Sequence, residues 1–181
     1  MNIIDDEYIN PFIPRNKFLH KDYIKWMKEA DVEWYVGGTL TYRSHTYRWG
    51  EAAKRKLVED DCRHYWNILD KKYYGSATKR FGVRIPRVVF IQHLSTNIHI
   101  HYIAGIPKHL SSPEDKASYL IKLGKVWRTK LRNAGLEVRI SPLDDPEGWM
   151  DYIATEMKIH GKTDGVEVNS THLGDGKTLT T

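Results

Sequence analysis

The sequence predicts an α+β domain of the ferredoxin-like, RRM-like kind: an antiparallel sheet with a β-α-β-β-α-β core, helices on one face, and an extra C-terminal helix. Three observations predict it. Segments of alternating or β-branched character at 34–42, 87–93, 98–104 and 136–140 are separated by two long stretches of helical spacing, which is the split βαβ order. The two middle segments are joined only by the polar link 94–97, which reads as a hairpin turn. A chain of 181 residues suits one domain with a real core rather than two.

Taken in order, residues 1–18 contain Pro11 and Pro14 and read as an irregular arm, laid on the domain by Tyr8, Phe12, Ile13 and Phe18. The domain proper spans 19–160. A short helix over 20–30 places Tyr23, Ile24, Trp26 and Met27 on its apolar positions. The strand 34–42 is aromatic and β-branched around Gly37 and Gly38, a pair that suggests a bulge. From 50 to 73, Val58, Cys62, Tyr65, Trp66, Leu69 and Tyr73 recur at helical spacing, and Lys54, Arg55, Lys56 and Arg63 read as a solvated opposite face. Gly75 ends that helix, and 76–86 reads as a loop.

Ser112 followed by Pro113, Glu114 and Asp115 signals a helix start, with Ser112 as N-cap. Ala117, Leu120, Ile121, Gly124, Trp127 and Leu131 form one face of that helix down to 133, and Gly135 closes it. After the strand 136–140 and a turn at 144–148, a last helix runs from Glu147 or Trp149 to His160. Residues 161–181 are polar and lack periodicity, so they are expected to form a loosely held tail.

Lys and Arg number 28 against 23 Asp and Glu, for a formal charge of +5. Clustering matters more than this modest excess: Lys79, Arg80, Arg84 and Arg87 fall just before the hairpin, a pattern suited to a polyanion. The single Cys62 excludes an internal disulfide and a cysteine-based zinc site, and reads as a small core residue. No apolar run approaches the roughly 18 residues of a membrane span. An intracellular protein is expected, in the cytoplasm of a prokaryotic host or the nucleus of a eukaryotic one.

The hairpin carries the chemistry. On a strand, His99 and His101 project from one face while Ile98 and Ile100 go to the other. Imidazoles about 6 to 7 Å apart along a strand can converge on one divalent ion. If His93 pairs with Ile98, Gln92 lies opposite His99 and is the first choice for a third ligand. A one-residue slip exchanges faces and brings His93 opposite His99 instead, so His93 is held in reserve. Other uses of a His-x-His pair fail on the flanks. Ile103 and Ala104 stand where a metallo-β-lactamase needs Asp and His, Gly105 and Ile106 stand where a cupin needs Glu, and the chain is too short for an amidohydrolase barrel.

These residues resemble those of a known family, the HUH endonucleases, and within it the replication-initiator (Rep) proteins of rolling-circle replicons in single-stranded DNA viruses and plasmids. Thr39-Leu40-Thr41-Tyr42 resembles the first motif of that family, His99-Ile100-His101 the histidine motif, and Tyr152 within Trp149-Met150-Asp151-Tyr152-Ile153-Ala154 the third. The three occur in the family's order over residues 34–160. The lysine usual three or four residues after the tyrosine is replaced by Thr155 and Glu156, with Lys158 six residues on.

The resemblance implies a nickase and strand transferase that cuts single-stranded DNA at a replication origin, free or in a hairpin. Tyr152 is the nucleophile and is left joined to the 5′ end, while His99, His101 and Gln92 hold Mn²⁺ or Mg²⁺, with Zn²⁺ a further possibility. Only about one phenol in a thousand is ionised at neutral pH, so a nearby cation has a task. Tyr102 and Tyr119 are weaker nucleophile candidates, one pointing away from the histidines and one in a core-forming helix. Arg43, Arg48, Arg80, Arg84 and Arg87 are the expected DNA contacts, with Tyr42, Tyr47 and Trp49 as stacking platforms. Glu156 is expected to face solvent. The absence of a Walker A pattern assigns unwinding to a host helicase, with a host polymerase extending the 3′ end. Competing readings are a non-catalytic RRM-like nucleic-acid-binding module and a transposase or relaxase of the same chemistry.

Overall fold

Strand β1 (Trp34–Tyr42), strands β2 (Arg87–Gln92) and β3 (His99–Gly105), and strand β4 (Ala134–Pro142) form a single four-stranded sheet in the order β2-β3-β1-β4. All three pairings are antiparallel. The structure is a computed structural model and describes residues 12–93, 97–155 and 165–173. Helix α2 (Glu51–Tyr74) connects β1 to β2 and helix α4 (Pro113–Lys130) connects β3 to β4, so the α+β ferredoxin-like order expected from the sequence is present.

One face of the sheet buries Leu40, Val89, Ile91, Ile100 and Tyr102 against Val58, Cys62, Tyr65 and Trp66 of α2 and Tyr119, Leu123 and Trp127 of α4. The aromatic rings meet edge to face: Tyr65 with Trp127 at 5.6 Å and Trp66 with Tyr102 at 5.1 Å between centroids. The other face is partly roofed. Helix α1 (Phe12–Glu29) supplies Met27 and helix α5 (Pro146–Ile153) supplies Met150 and Ile153, which cover Val88, Phe90 and Ile103.

Gly37 and Gly38 mark close approach rather than a bulge. Both pair regularly with β3, and the register irregularities fall between Trp34 and Val36 and between Leu40 and Tyr42. A Cβ on Gly37 would sit 2.8 Å from the Trp149 ring, and one on Gly38 would overlap the Tyr102 ring. The missing side chains let α5 lie on one face and Tyr102 on the other.

Several other boundaries differ from expectation. Residues 12–18, read as an irregular arm, belong to α1. The loop at 76–86 contains a short helix α3 (Ala77–Phe81). Helix α4 stops at Lys130, and Gly135 lies inside β4, where its lack of a Cβ admits the Thr41 hydroxyl. Lys54, assigned to a solvated face, is buried. Helix α5 starts at Pro146 behind the N-cap Asp145, whose carboxylate accepts from Gly148 N at 2.9 Å.

The expected loose tail is corrected over 165–173. This segment docks along the outer edge of β2, where an unpaired strand would otherwise present free amides and carbonyls. Arg87 N donates to His172 O at 2.6 Å, Glu167 N to Val89 O at 2.9 Å and Ile91 N to Gly165 O at 2.6 Å. Ser170 and Thr171 are fully enclosed. Such backbone pairing leaves no side-chain periodicity, so no residue pattern over 165–173 announces it. Among the described residues no helix is long and apolar enough to cross a membrane.

Candidate active site

The site lies on the α1/α5 face of the sheet, at the end where β2 runs into the hairpin link. Thr39 of β1 pairs with His101 of β3 and with Arg139 of β4, while Thr41 pairs with His99, so five residues on three neighbouring strands present polar groups in a patch. They line a cavity of about 230 Å³ that also receives His93, Glu137 and Tyr152. This is the polar half of a face whose other half is sealed by α1 and α5.

The two motif histidines stand as their spacing requires, with ring centroids 5.8 Å apart. His101 is buried, and its Nδ1 shares a 2.9 Å hydrogen bond with the Thr39 hydroxyl, so coordination by this ring falls to Nε2. Burial, then the neighbouring His99 and His93, push the His101 pKa down to about 4. The ring is therefore neutral at neutral pH, the form that binds metal. The Nδ2 of Asn97 lies 3.3 Å from His99 Nε2.

Gln92 pairs with His99, the unslipped register. Its Nε2, however, donates to Ile153 O at the end of α5 at 2.6 Å, so only its Oε1 can act as a ligand. His93 reaches the same cavity by another route. Its φ of 55° is left-handed, which ends the strand alternation and brings its ring to 5.7 Å from that of His99. Among the described residues no three His, Cys, Asp or Glu side chains stand as a ready metal cluster. The donor chemistry nevertheless suits a divalent ion: two adjacent imidazoles, one held neutral, with Gln92, His93 and Glu137 around them.

Tyr152 approaches from α5. Trp149 and Tyr152 are three apart and share a helix face, with rings 5.2 Å apart. Both lie against His101, Trp149 at 6.2 Å and Tyr152 at 5.4 Å between centroids. The helix is held there by Trp149 Nε1 donating to Tyr102 O at 2.9 Å, by Gln92, and by Lys28 of α1 bonded to Glu147 at 2.5 Å. Tyr152 keeps 54% of its surface exposed, so the phenol stays accessible. Tyr102 and Tyr119 are fully buried in the opposite core. Glu156 and Lys158 lie outside the described residues.

The basic residues divide. Arg43 is exposed beside the site, its Nε donating to Ala134 O at 3.0 Å, and lines a groove of about 680 Å³ that shares Thr41 and Glu137 with the histidine cavity. Arg48 and Trp49 are exposed on the turn that follows β1. Arg87, expected from the sequence to contact DNA, is instead enclosed. It is 1% exposed, lies 4.6 Å over the Trp66 ring, and donates to Asp70 at 2.9 Å and to Ser170 O at 2.7 Å. Arg84 donates to the other Asp70 oxygen at 3.0 Å. Arg84 and Arg87 thus neutralise a buried carboxylate at the far end of β2, about 17 Å of strand from Gln92. Arg80 is exposed on α3 before that same far end. Tyr42, expected to stack on bases, is buried against Trp127 at 5.3 Å. The side chain of Tyr47 lies outside what is described.

Glu137 and Arg139 join the site without a motif of their own. Their signal is the alternation in Leu136-Glu137-Val138-Arg139-Ile140, which puts both on the face opposite Val138 and Ile140; only the pairing of β4 with β1 brings that face to the histidines. Comparison of the chain with protein-family models, with curated proteins and with solved structures gave no match.

Proposed function

We propose that this chain is a site-specific single-stranded DNA endonuclease and strand transferase of the HUH kind, with Tyr152 as nucleophile, that nicks a replication origin to start rolling-circle replication. The observation that carries the reading is the exposed Tyr152 ring, its centroid 5.4 Å from that of His101, beside a second strand histidine that shares its cavity. An Mn²⁺ or Mg²⁺ ion bound by His99, His101 and one of Gln92, His93 or Glu137 would supply positive charge beside the scissile phosphate.

The chain's own residues then have defined tasks. The Tyr152 oxygen attacks phosphorus as the bond to the 3′ oxygen breaks; the phenol gives up its proton and the departing 3′ oxygen takes one up. The 5′ phosphate remains on the tyrosine, and because one phosphodiester replaces another, the reverse reaction reseals the strand. Thr39 fixes the His101 ring through Nδ1. Arg43, which lines the groove adjoining the cavity, would hold DNA phosphates there, with Arg48 exposed on the turn beyond it, and a host helicase and polymerase complete the cycle.

The test incubates the protein with a random pool of labelled single-stranded DNA, with Mn²⁺ or with EDTA. A denaturation-resistant protein–DNA adduct that requires metal, Tyr152 and His99 is expected. Tight binding that ignores EDTA and leaves the DNA uncut would instead favour an RRM-like binding module. That module normally offers aromatic rings for stacking on the open sheet face; here β3 presents His99 and His101 there, and Phe90 of β2 is buried. A transposase or relaxase would give the same adduct with a different DNA partner.

A further inference from the structure

Resting on the nuclease reading above, we propose that Arg139 of β4 is a catalytic residue that grips a non-bridging oxygen of the phosphate attacked by Tyr152. Position supports it first. Arg139, Thr39 and His101 are consecutive partners across β4, β1 and β3, so they form one row on the same face of the sheet. Two strand spacings put the Arg139 and His101 backbones about 10 Å apart, a gap that a long side chain on one strand and a phosphate beside the other can fill.

Charge supports it second. Within the described residues, Arg139 is the Lys or Arg that lines the cavity shared by the histidines and Tyr152. Helix α5, which presents the phenol, contains no Lys or Arg over Pro146–Ile153 and so brings no cation with it. Glu137 places a carboxylate in the same cavity, and a phosphodiester entering there meets that negative charge unless Arg139 offsets it. A guanidinium suits the task, because it stays charged throughout the working pH range and its planar fork matches two phosphate oxygens.

Chemistry supports it third. As the phenol attacks, charge grows on the non-bridging oxygens, and a donor aimed at them acts more strongly on the transition state than on bound DNA. Arg139 would stand on the β4 side of the phosphate, across β1 from the histidine pair of β3. The phosphate would then be held from two sides while Tyr152 approaches from α5. Arg139 itself is exposed and lies outside both hydrophobic cores, so replacing it leaves the fold intact.

The experiment uses a single-stranded oligonucleotide recovered from the random pool by adduct formation, with its cleaved linkage mapped. Arg139→Ala should slow adduct formation by roughly 10²–10³-fold while melting temperature and oligonucleotide affinity stay near wild type, and Arg139→Lys should recover part of the rate. The same oligonucleotide is then made with a methylphosphonate at the cleaved linkage, which replaces one non-bridging oxygen by an uncharged methyl group. For one diastereomer the wild-type advantage over Arg139→Ala should largely disappear, because the oxygen that Arg139 grips is gone. An equal rate for wild type and Arg139→Ala on the ordinary phosphodiester overturns the assignment. So does a loss that is the same on phosphodiester and on both methylphosphonates, since that marks a merely structural role. If wild type forms no adduct with any member of the pool, the nuclease reading falls and takes this assignment with it.

Discussion

The Tyr152 ring stands edge-on to the His101 imidazole, with centroids 5.4 Å apart and planes at 83°. This relationship joins α5 to β3, one of the two inner strands of the sheet, and it is maintained indirectly. Trp149 is bonded to the Tyr102 carbonyl and Gln92 to the Ile153 carbonyl, so α5 is anchored at both ends of the turn that carries the phenol. Changes that disturb the docking of α5 should therefore act on the phenol without touching a histidine.

Gly37→Ala tests that docking. The new methyl group would lie 2.7 Å from Leu143 Cδ2 and 2.8 Å from the Trp149 ring, so α5 has to shift. Overpacking of this kind costs about 1–3 kcal/mol. The expected outcome is a lower melting temperature together with slower adduct formation, while the Mn²⁺ concentration for half-maximal activity stays close to wild type. A large change in that concentration would show that α5 docking and the histidine pair are not separable.

Thr39→Val makes the opposite separation. It keeps the shape of the side chain and removes the hydroxyl that shares a hydrogen bond with His101 Nδ1. Loss of such a support typically weakens metal affinity or activity by about 10–100-fold. Titration of adduct formation with Mn²⁺ should shift to higher concentration, and a saturating dose should restore much of the rate.

Arg87 and Arg43 should behave in contrary ways. Removing Arg87 strips the enclosed Asp70 of one of its two guanidinium partners and leaves the Ser170 carbonyl without its donor, so Arg87→Met should unfold at lower denaturant, with Arg84 holding the loss below the about 3–5 kcal/mol of a buried pair broken outright. Arg43→Gln should leave denaturant midpoints nearly unchanged and weaken binding of single-stranded DNA, with a shallower dependence on salt. Fluorescence-monitored denaturation and anisotropy titrations at several salt concentrations distinguish the two.

Acid should loosen the segment sealing β2. Burial, then the nearby Arg87 and Arg84, hold the His172 pKa down to about 4, against an ordinary value near 6.5. Between those values the detached chain binds a proton that the docked chain refuses. The docking free energy is thus complete above the ordinary value and declines as pH falls toward 4. After correction for intrinsic exchange, the Arg87 and Ile91 amides, which donate to His172 and Gly165 carbonyls, should lose protection across this window. His172→Gln should flatten the trend.

What was legible in the sequence follows from what short-range pattern encodes. Strand and helix periods show the order of the elements along the chain, and the hairpin spacing shows the face of His99 and His101 and the pairing of Gln92 with His99. Helical spacing likewise put Tyr152 beside the stripe of Met150 and Ile153 that packs on the sheet. Burial of charge was not legible. Arg87 belonged to a basic cluster in the sequence, and only the arrival of Asp70 from the end of α2 turns it inward. Tyr42 likewise ends a strand whose last side chain falls on the α4 side. Glu137 and Arg139 depend on the register between β4 and β1, two segments far apart in the chain, and the edge pairing of 165–173 uses backbone groups that every residue possesses.

The most direct measurement is mass spectrometry of the protease-digested adduct formed with Mn²⁺ and single-stranded DNA. The expected product is a nucleotide attached through its 5′ phosphate to the peptide containing Tyr152, with fragmentation placing it on that phenol and the released strand ending in a 3′ hydroxyl. Attachment to any other residue, or cleavage that leaves a free 5′ phosphate and unmodified protein in every sample, would contradict it.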